Sequence, residues 1–377
     1  MMLKKFKEMT SKQIWLYAIL FFCFAGSLVF VYNNHSFYDR PIAEVVEATL
    51  VDTSETIDMH NNEDILFTQH LIARLKNGEE QGQLIELTNE YTLSGAFDNE
   101  FRPGNEVFVS IEEEPAESGS LTGLIEDVKR DTYLMIVTWV FIFTLLIIGR
   151  KQGMFSVVSL ALNAVILSYA LDVYLNTSGV SLLFVSGISV VLFTVTSLLL
   201  VNGFNEKTYA AIVATLLGTF VALLIAYLAM VVTAEEGLRY EEMGFLSRPP
   251  QVVFLAGLFI GSLGAVMDVA ITMSASIFSL YEKNNNISAK ALKNSGMEIG
   301  KDIMGTMTNI LFFAYISGSI PMLILYLTNS TPLMFTLSMT LSLEMARALA
   351  GGIGIVLAIP IGLYTTLFFV NRKRARV

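Results

Sequence analysis

Cysteine and histidine are nearly missing from this 377-residue sequence: Cys23 stands alone, and the histidines are His35, His60 and His70. A single cysteine excludes a disulfide framework and a thiolate metal site. With all three histidines between residues 33 and 131, the remaining apolar chain has no means to build a histidine-ligated metalloprotease or a buried Ser–His pair. Charge is scarce as well, at 15% against 54% hydrophobic residues, which is too little for a chain solvated mainly by water. There is no H-E-x-x-H, no Gly-x-x-x-x-Gly-Lys-Ser/Thr loop and no dinucleotide fingerprint. An intramembrane aspartyl protease would need two facing carboxylates, and Asp172 sits at the wrong depth to partner Asp268. No enzyme, no cofactor and no resident metal is expected.

What is present is a series of apolar stretches, near 14–32, 132–149, 154–175, 180–202, 208–232, 251–278, 303–327 and 348–370, each long enough to cross a bilayer. The expectation is an all-α polytopic membrane domain of eight transmembrane helices. Fifteen Lys and Arg fall in the segments that would face one side, among them Lys4, Lys151, Lys207, Lys293 and Arg372. Only Arg239, Arg248 and Arg347 fall in the short loops of the other side. By the positive-inside rule both termini are cytoplasmic in a bacterial cell membrane. The first stretch is read as a span and not as a cleaved signal peptide. A lipoprotein cysteine is excluded by Phe21 and Phe22, which stand where small residues would be needed before Cys23.

Three regions follow: 1–32 with the first span, 33–131 outside, and 132–377 as seven spans. Residues 33–131 carry 22 Asp/Glu against 6 Lys/Arg, an excess of 16 negative charges. That balance argues against nucleic acid or an anionic lipid surface as a partner of this segment. Its pattern is β: Ile65, Phe67, Leu71, Ala73 and Leu75 recur at period two and end at Asn77-Gly78, a hairpin-turn dipeptide. Further strands are expected at 45–51, 84–88 and 107–111, giving a small four- or five-stranded extracytoplasmic β-barrel or β-sandwich.

The 251–278 stretch carries the strongest candidate site. Gly257, Gly261, Gly264, Asp268, Thr272 and Ser276 share one helical face. The three glycines alone describe a helix-packing surface. Asp268 does not fit that account, because an ionisable group about 14 Å from the inner helix end, at about 1.5 Å per residue, is expensive in lipid. In the following span Asp302, Thr306 and Asn309 repeat at helical spacing and place Asn309 at a similar depth. The candidate ion or proton site is therefore Asp268, Asn309, Thr306, Asp302 and Thr272, with a buried structural hydrogen bond as the plainer alternative. Glu344 and Arg347 are three apart and form a possible ion pair. Gly351, Gly352, Gly354 and Pro360 are expected to loosen the last helix. The apolar 332–345 segment is expected to lie in the interface or re-enter the bilayer, and the 279–302 loop to contain a short interfacial helix whose lysines meet lipid headgroups.

The run Gly261-Ser-Leu-Gly-Ala-Val-Met-Asp268-Val-Ala-Ile-Thr-Met-Ser-Ala-Ser, with Gly300-Lys-Asp302-Ile-Met-Gly305-Thr-Met-Thr-Asn309 and Ala314-Tyr-Ile-Ser-Gly-Ser-Ile-Pro321, resembles the YibE/YibF family of bacterial membrane proteins. Gly203-Phe-Asn205-Glu-Lys207-Thr208 and Glu344-x-x-Arg347 are similar too. The resemblance covers roughly 130–370. The first span and outer segment resemble the longer YibE type, which implies a shorter YibF-like membrane subunit as partner, with a homo-oligomer as the alternative and membrane lipid as the surroundings. The resemblance implies no specific activity. From the residues, the expected function is a transporter or ion-coupled translocation component, and the alternative is a membrane scaffold or sensor whose outer domain binds an envelope partner.

Overall fold

The structure is a computed structural model that describes residues 11–95, 98–112, 121–177, 179–244 and 247–375. The chain divides into two compact units, Met1–Thr144 and Leu145–Val377.

In the first unit, α1 (Ser11–Tyr32) precedes five strands: β1 (Ile42–Ile57), β2 (Glu63–Leu75), β3 (Leu84–Thr92), β4 (Glu106–Ile111) and β5 (Leu121–Val128). They pair in the order β1-β2-β3-β5-β4, with β4 also pairing back onto β1. Only β3 and β5 run parallel. The period-two alternation of β2 sends Leu71, Ala73 and Leu75 inward to meet Val45, Ile85, Leu87, Phe101, Val107 and Val109. Gly123 in β5 is a steric requirement, since a Cβ there would lie 2.3 Å from the Ser110 carbonyl oxygen. The Asn77-Gly78 pair is not the tip of a two-residue turn. The amide nitrogen of Asn77 donates to the carbonyls of His35, Tyr38 and Arg40, its oxygen accepts from the Ile42 amide, and a longer connection carries the chain into β3. A buried ammonium closes the base of the domain. Lys129 Nζ lies 2.9 Å from Glu106 and 3.0 Å from Asp131, and donates to the Val31 carbonyl.

Seven α-helices, not eight, are present among the described residues. The stretches expected at 132–149 and 154–175 form one element, α2 (Asp131–Asn176), in which Arg150 alone leaves helical geometry at φ 48° and ψ −120°. No separate loop is needed there, because Gly153 lets the chain bend back on itself. A Cβ on Gly153 would stand 2.1 Å from the Leu145 carbonyl oxygen, eight residues earlier.

The second unit continues with α3 (Leu182–Asn202), α4 (Glu206–Val232), α5 (Pro250–Lys283), α6 (Ala289–Thr328) and α7 (Leu333–Arg374). With α2, these five make six helices long and apolar enough to cross a membrane. The expected interfacial helix is the first part of α6, and the expected re-entrant segment is the first part of α7. Pro360 does not interrupt α7. α5 and α7 form the centre, where Val266, Val269, Met273 and Ile277 meet Ile355, Ala358, Ile359 and Leu363. Glycine allows the close approaches: Gly354 faces Val266 and Ala222, Gly351 faces Leu311, and Gly300 of α6 faces Ile359 at 2.3 Å from an ideal Cβ. With no hydrophobic effect between helices in lipid, such backbone proximity supplies dispersion contact that larger side chains would forbid. The glycines of the last helix thus serve packing where loosening was expected.

Candidate functional site

Asp268 lies midway along α5 on an exposed face that α6 touches through Tyr315 at Gly261. Gly257, Gly261, Gly264 and Asp268 are all exposed and Thr272 is half-buried, whereas Leu263, Val266, Val269 and Met273 on the opposite side are buried. Asp302, Thr306 and Asn309 likewise occupy the exposed side of α6, whose buried residues include Gly296, Gly300 and Leu311. α5 and α6 run antiparallel, since Ile277 meets Gly296 while Gly261 meets Tyr315. Counting from the Gly261–Tyr315 contact, Asp268 is seven residues and Asn309 six residues along, so both lie about 10 Å towards the α5–α6 connection. The structure therefore brings these groups to one level and does not join them. Among the described residues neither Asp268 nor Asn309 has a side-chain hydrogen bond or ion pair, and no group of three or more His, Cys, Asp or Glu is arranged for a metal ion.

The glycines divide in role. Gly261 carries the Tyr315 hydroxyl, while an added Cβ at Gly257 or Gly264 would meet nothing within 4 Å. A carboxyl one turn from the open Gly264 position, at mid-helix depth, is not a surface that lipid alone solvates well.

At the end of the unit bearing the α4–α5 and α6–α7 connections, the structure assembles a second polar group. Glu344 and Arg347 of α7 form the expected ion pair, with Arg347 Nη1 donating to Glu344 Oε1 and about one fifth of each side chain exposed. The guanidinium also lies over the Phe254 ring, 5.3 Å from its centroid. These two residues, with Tyr315, Ser319 and Met322 of α6 and Glu242 of the short 3-10 turn Tyr240–Met243, line a cavity of about 710 Å³. Glu242 is exposed at the rim of this cavity, and its partial burial against the wall, aided by the negative charge of Glu344 and opposed by Arg347, raises its carboxyl to about 7. Glu242 was not singled out in the sequence. It sits among Arg239, Tyr240 and Glu241 in a short polar connection that has the pattern of a solvated loop.

At the opposite end a cavity of about 450 Å³ is lined by Asn205, Glu206, Lys207, Phe278, Glu282 and Lys373. Asn205 caps α4 by accepting from the Thr208 amide, and Lys373 spans to Glu282 at 3.6 Å while lying over Phe278. The Lys373–Glu282 pair and the Phe278 contact describe a helix terminus fastened in place.

Residues 137–372 match the family described as YibE/F-like protein, and residues 36–128 match the YibE/F family N-terminal domain. No curated protein and no solved structure gives a match.

Proposed function

We propose, for a chain that belongs to the YibE/F-like family, a non-enzymatic role as a multi-pass membrane transporter or ion-coupled translocation component in which Asp268 is the titratable group. The observation that carries this reading is the placement of Asp268: halfway along a membrane-type helix, exposed, one turn from the open Gly264 position, and without a side-chain hydrogen bond or ion pair among the described residues. In a bilayer such a carboxyl requires water or protein against it. A YibF-like subunit or a second copy of this chain is the partner we assign to the α5–α6 face. Asn309 and Thr306, at the same level, then line the same polar track.

In this reading the chain crosses the bacterial cell membrane eight times, with α2 counted as two crossings that meet at Arg150, and both termini cytoplasmic. Fifteen cations on one side against three in the short loops of the other support that orientation. The ring of strand pairings supports a small barrel outside the membrane.

Flux of protons or alkali cations into proteoliposomes, alone and with a co-expressed partner, tests the proposal. Asp268→Asn keeps the volume and removes the charge. Flux that is lost in this variant at equal abundance supports the role of Asp268, and flux that persists removes it. A second reading, a scaffold or sensor acting through the outer domain, is favoured by one observation. The distal part of the β1–β2 hairpin exposes Leu50, Val51, Ile57 and Met59, the last at 92%. A stable envelope complex with no flux would support that reading.

A further inference from the structure

We infer that the cavity between the Tyr240–Met243 turn, α6 and α7 is a binding site for a small organic cation, a protonated amine with an apolar body, with Glu242 as its counter-charge. The inference does not rest on the transport reading, because binding is measured with no gradient present.

Four properties of the cavity lead to this class. Its volume of about 710 Å³ lies within the range of about 300–1,000 Å³ that small-molecule sites occupy. Its positive group is already engaged, since Arg347 is held by Glu344 on one side and by the Phe254 ring on the other. A carboxylate ligand would have to break that pair. The Glu242 carboxyl, by contrast, has no hydrogen bond or ion pair among the described residues. Apart from the Ser319 hydroxyl, the rest of the wall is apolar or polarisable, with Met243, Met322 and Leu343 beside the Tyr315 ring. Thioethers and an aromatic ring suit the hydrocarbon and the weakly hydrated edge of an organic cation. A hard metal ion would need about six oxygen ligands, and this wall offers no such set.

Proton linkage gives the site a signature. The charged and titratable groups facing Glu242 are Glu344 and Arg347 from α7 and Tyr315 from α6, and its own turn adds Tyr240 and Glu241. Burial raises the Glu242 carboxyl most, the charge of Glu344 adds to the rise and Arg347 opposes it, so on the acid side of about 7 an empty cavity holds a proton on Glu242. A bound ammonium replaces that proton as the counter-charge, since a nearby cation favours the ionised carboxyl. Binding from acidic solution therefore releases a proton, and binding from alkaline solution does not.

The test is calorimetric titration of the full-length protein in neutral detergent with benzylammonium, using benzoate as the anion of matched shape. Titrations in two buffers of different ionisation enthalpy count the protons. Expected are saturable binding of benzylammonium and none of benzoate. Proton release should approach one near about pH 6 and vanish above about pH 8. Glu242→Gln should weaken binding at least about tenfold and abolish the release, and Glu242→Asp should retain both. Met322→Trp adds bulk to the cavity wall, leaves Glu242 unsubstituted and should also abolish binding, which covers the case in which Glu242→Gln does not fold. Benzylammonium binding unchanged in Glu242→Gln or Met322→Trp, preferential binding of benzoate, or no saturable heat from the folded wild type would each overturn the inference. Loss of flux in Asp268→Asn bears on the transport reading and leaves this result untouched.

Discussion

The phenolic oxygen of Tyr315 rests on Gly261, and an ideal Cβ placed on that glycine would lie 2.3 Å from it. This contact fixes α6 against α5 between the Asp268 level and the Glu242 cavity, whose wall includes Tyr315 itself.

Gly261→Ala is expected to force the Tyr315 ring aside and destabilise the protein by about 1–3 kcal/mol, an overpacking penalty set against a helix-propensity gain of about 1 kcal/mol. Removing the hydroxyl leaves the ring carbon at 3.4 Å from the same Cβ position, close to ordinary contact. Gly261→Ala should therefore be tolerated in a Tyr315→Phe background. Gly264→Ala, with nothing within 4 Å, should be neutral or stabilising in the isolated chain. Thermal unfolding in detergent of the wild type, Gly261→Ala, Tyr315→Phe and their double variant measures the coupling. Additive effects of Gly261→Ala and Tyr315→Phe would show that the contact carries no strain.

Much of this architecture was legible in the sequence, and the exceptions have physical causes. The spans followed from long apolar runs and four strands from alternation, because lipid and a half-buried sheet each impose a local pattern. β5 was missed because Leu121-Thr-Gly-Leu-Ile lacks clear alternation and Gly123 has the look of a breaker. It is glycine for the sake of the Ser110 carbonyl on another strand. Asn77-Gly78 suggested a tight turn, whereas the side chain of Asn77 binds carbonyls some forty residues earlier. The Glu344–Arg347 pair was visible because three residues is a helical spacing. Glu242, about a hundred positions upstream, joins it only through tertiary packing. That Asp268 stands within a long apolar helix was visible as well, whereas Asn309, expected to face it, has no side-chain hydrogen bond to it among the described residues.

The ammonium of Lys129 is almost fully enclosed, with 1% of its side chain exposed, between Glu106 and Asp131. Burial alone would push it down, and the hydrogen bonds and charges of the two carboxylates outweigh burial and hold it above its ordinary value. Lys129→Met leaves both carboxylates without their cation, so a loss of about 3–5 kcal/mol is expected. The readout is hydrogen exchange of β4 and β5 in the full chain, where protection should collapse. Unchanged protection would mean that water satisfies Glu106 and Asp131 once the lysine is gone.

Orientation is open to direct labelling in a Cys23→Ala background. Gln81→Cys lies in the exposed β2–β3 connection and Asn285→Cys in the α5–α6 connection, and neither wild-type side chain makes a hydrogen bond among the described residues. An impermeant maleimide applied to intact cells is expected to modify Gln81→Cys and to reach Asn285→Cys only after lysis. The opposite pattern would invert the topology and put both termini outside.

Glu242 predicts a specific pH dependence of stability. Its carboxyl is raised from an ordinary 4.5 to about 7 in the folded protein. Below about pH 4.5 it is protonated in both states and contributes nothing. Between about 4.5 and 7 the folded state holds a proton that the unfolded state has released, so this group's contribution falls as pH rises. Above about 7 both states are ionised and the penalty is constant. Glu242→Gln removes the penalty, so the variant and wild type should unfold together in acid and diverge through that window, the variant being the more stable. Glu242 keeps an open side towards solvent, which limits the divergence to about 1–3 °C in Tm. Tm measured from about pH 4.5 to 8.5 for the two proteins gives the difference curve. A difference that is flat with pH, or one that grows towards acid, would place the Glu242 proton outside the folded state and leave the cavity with a permanently ionised carboxylate.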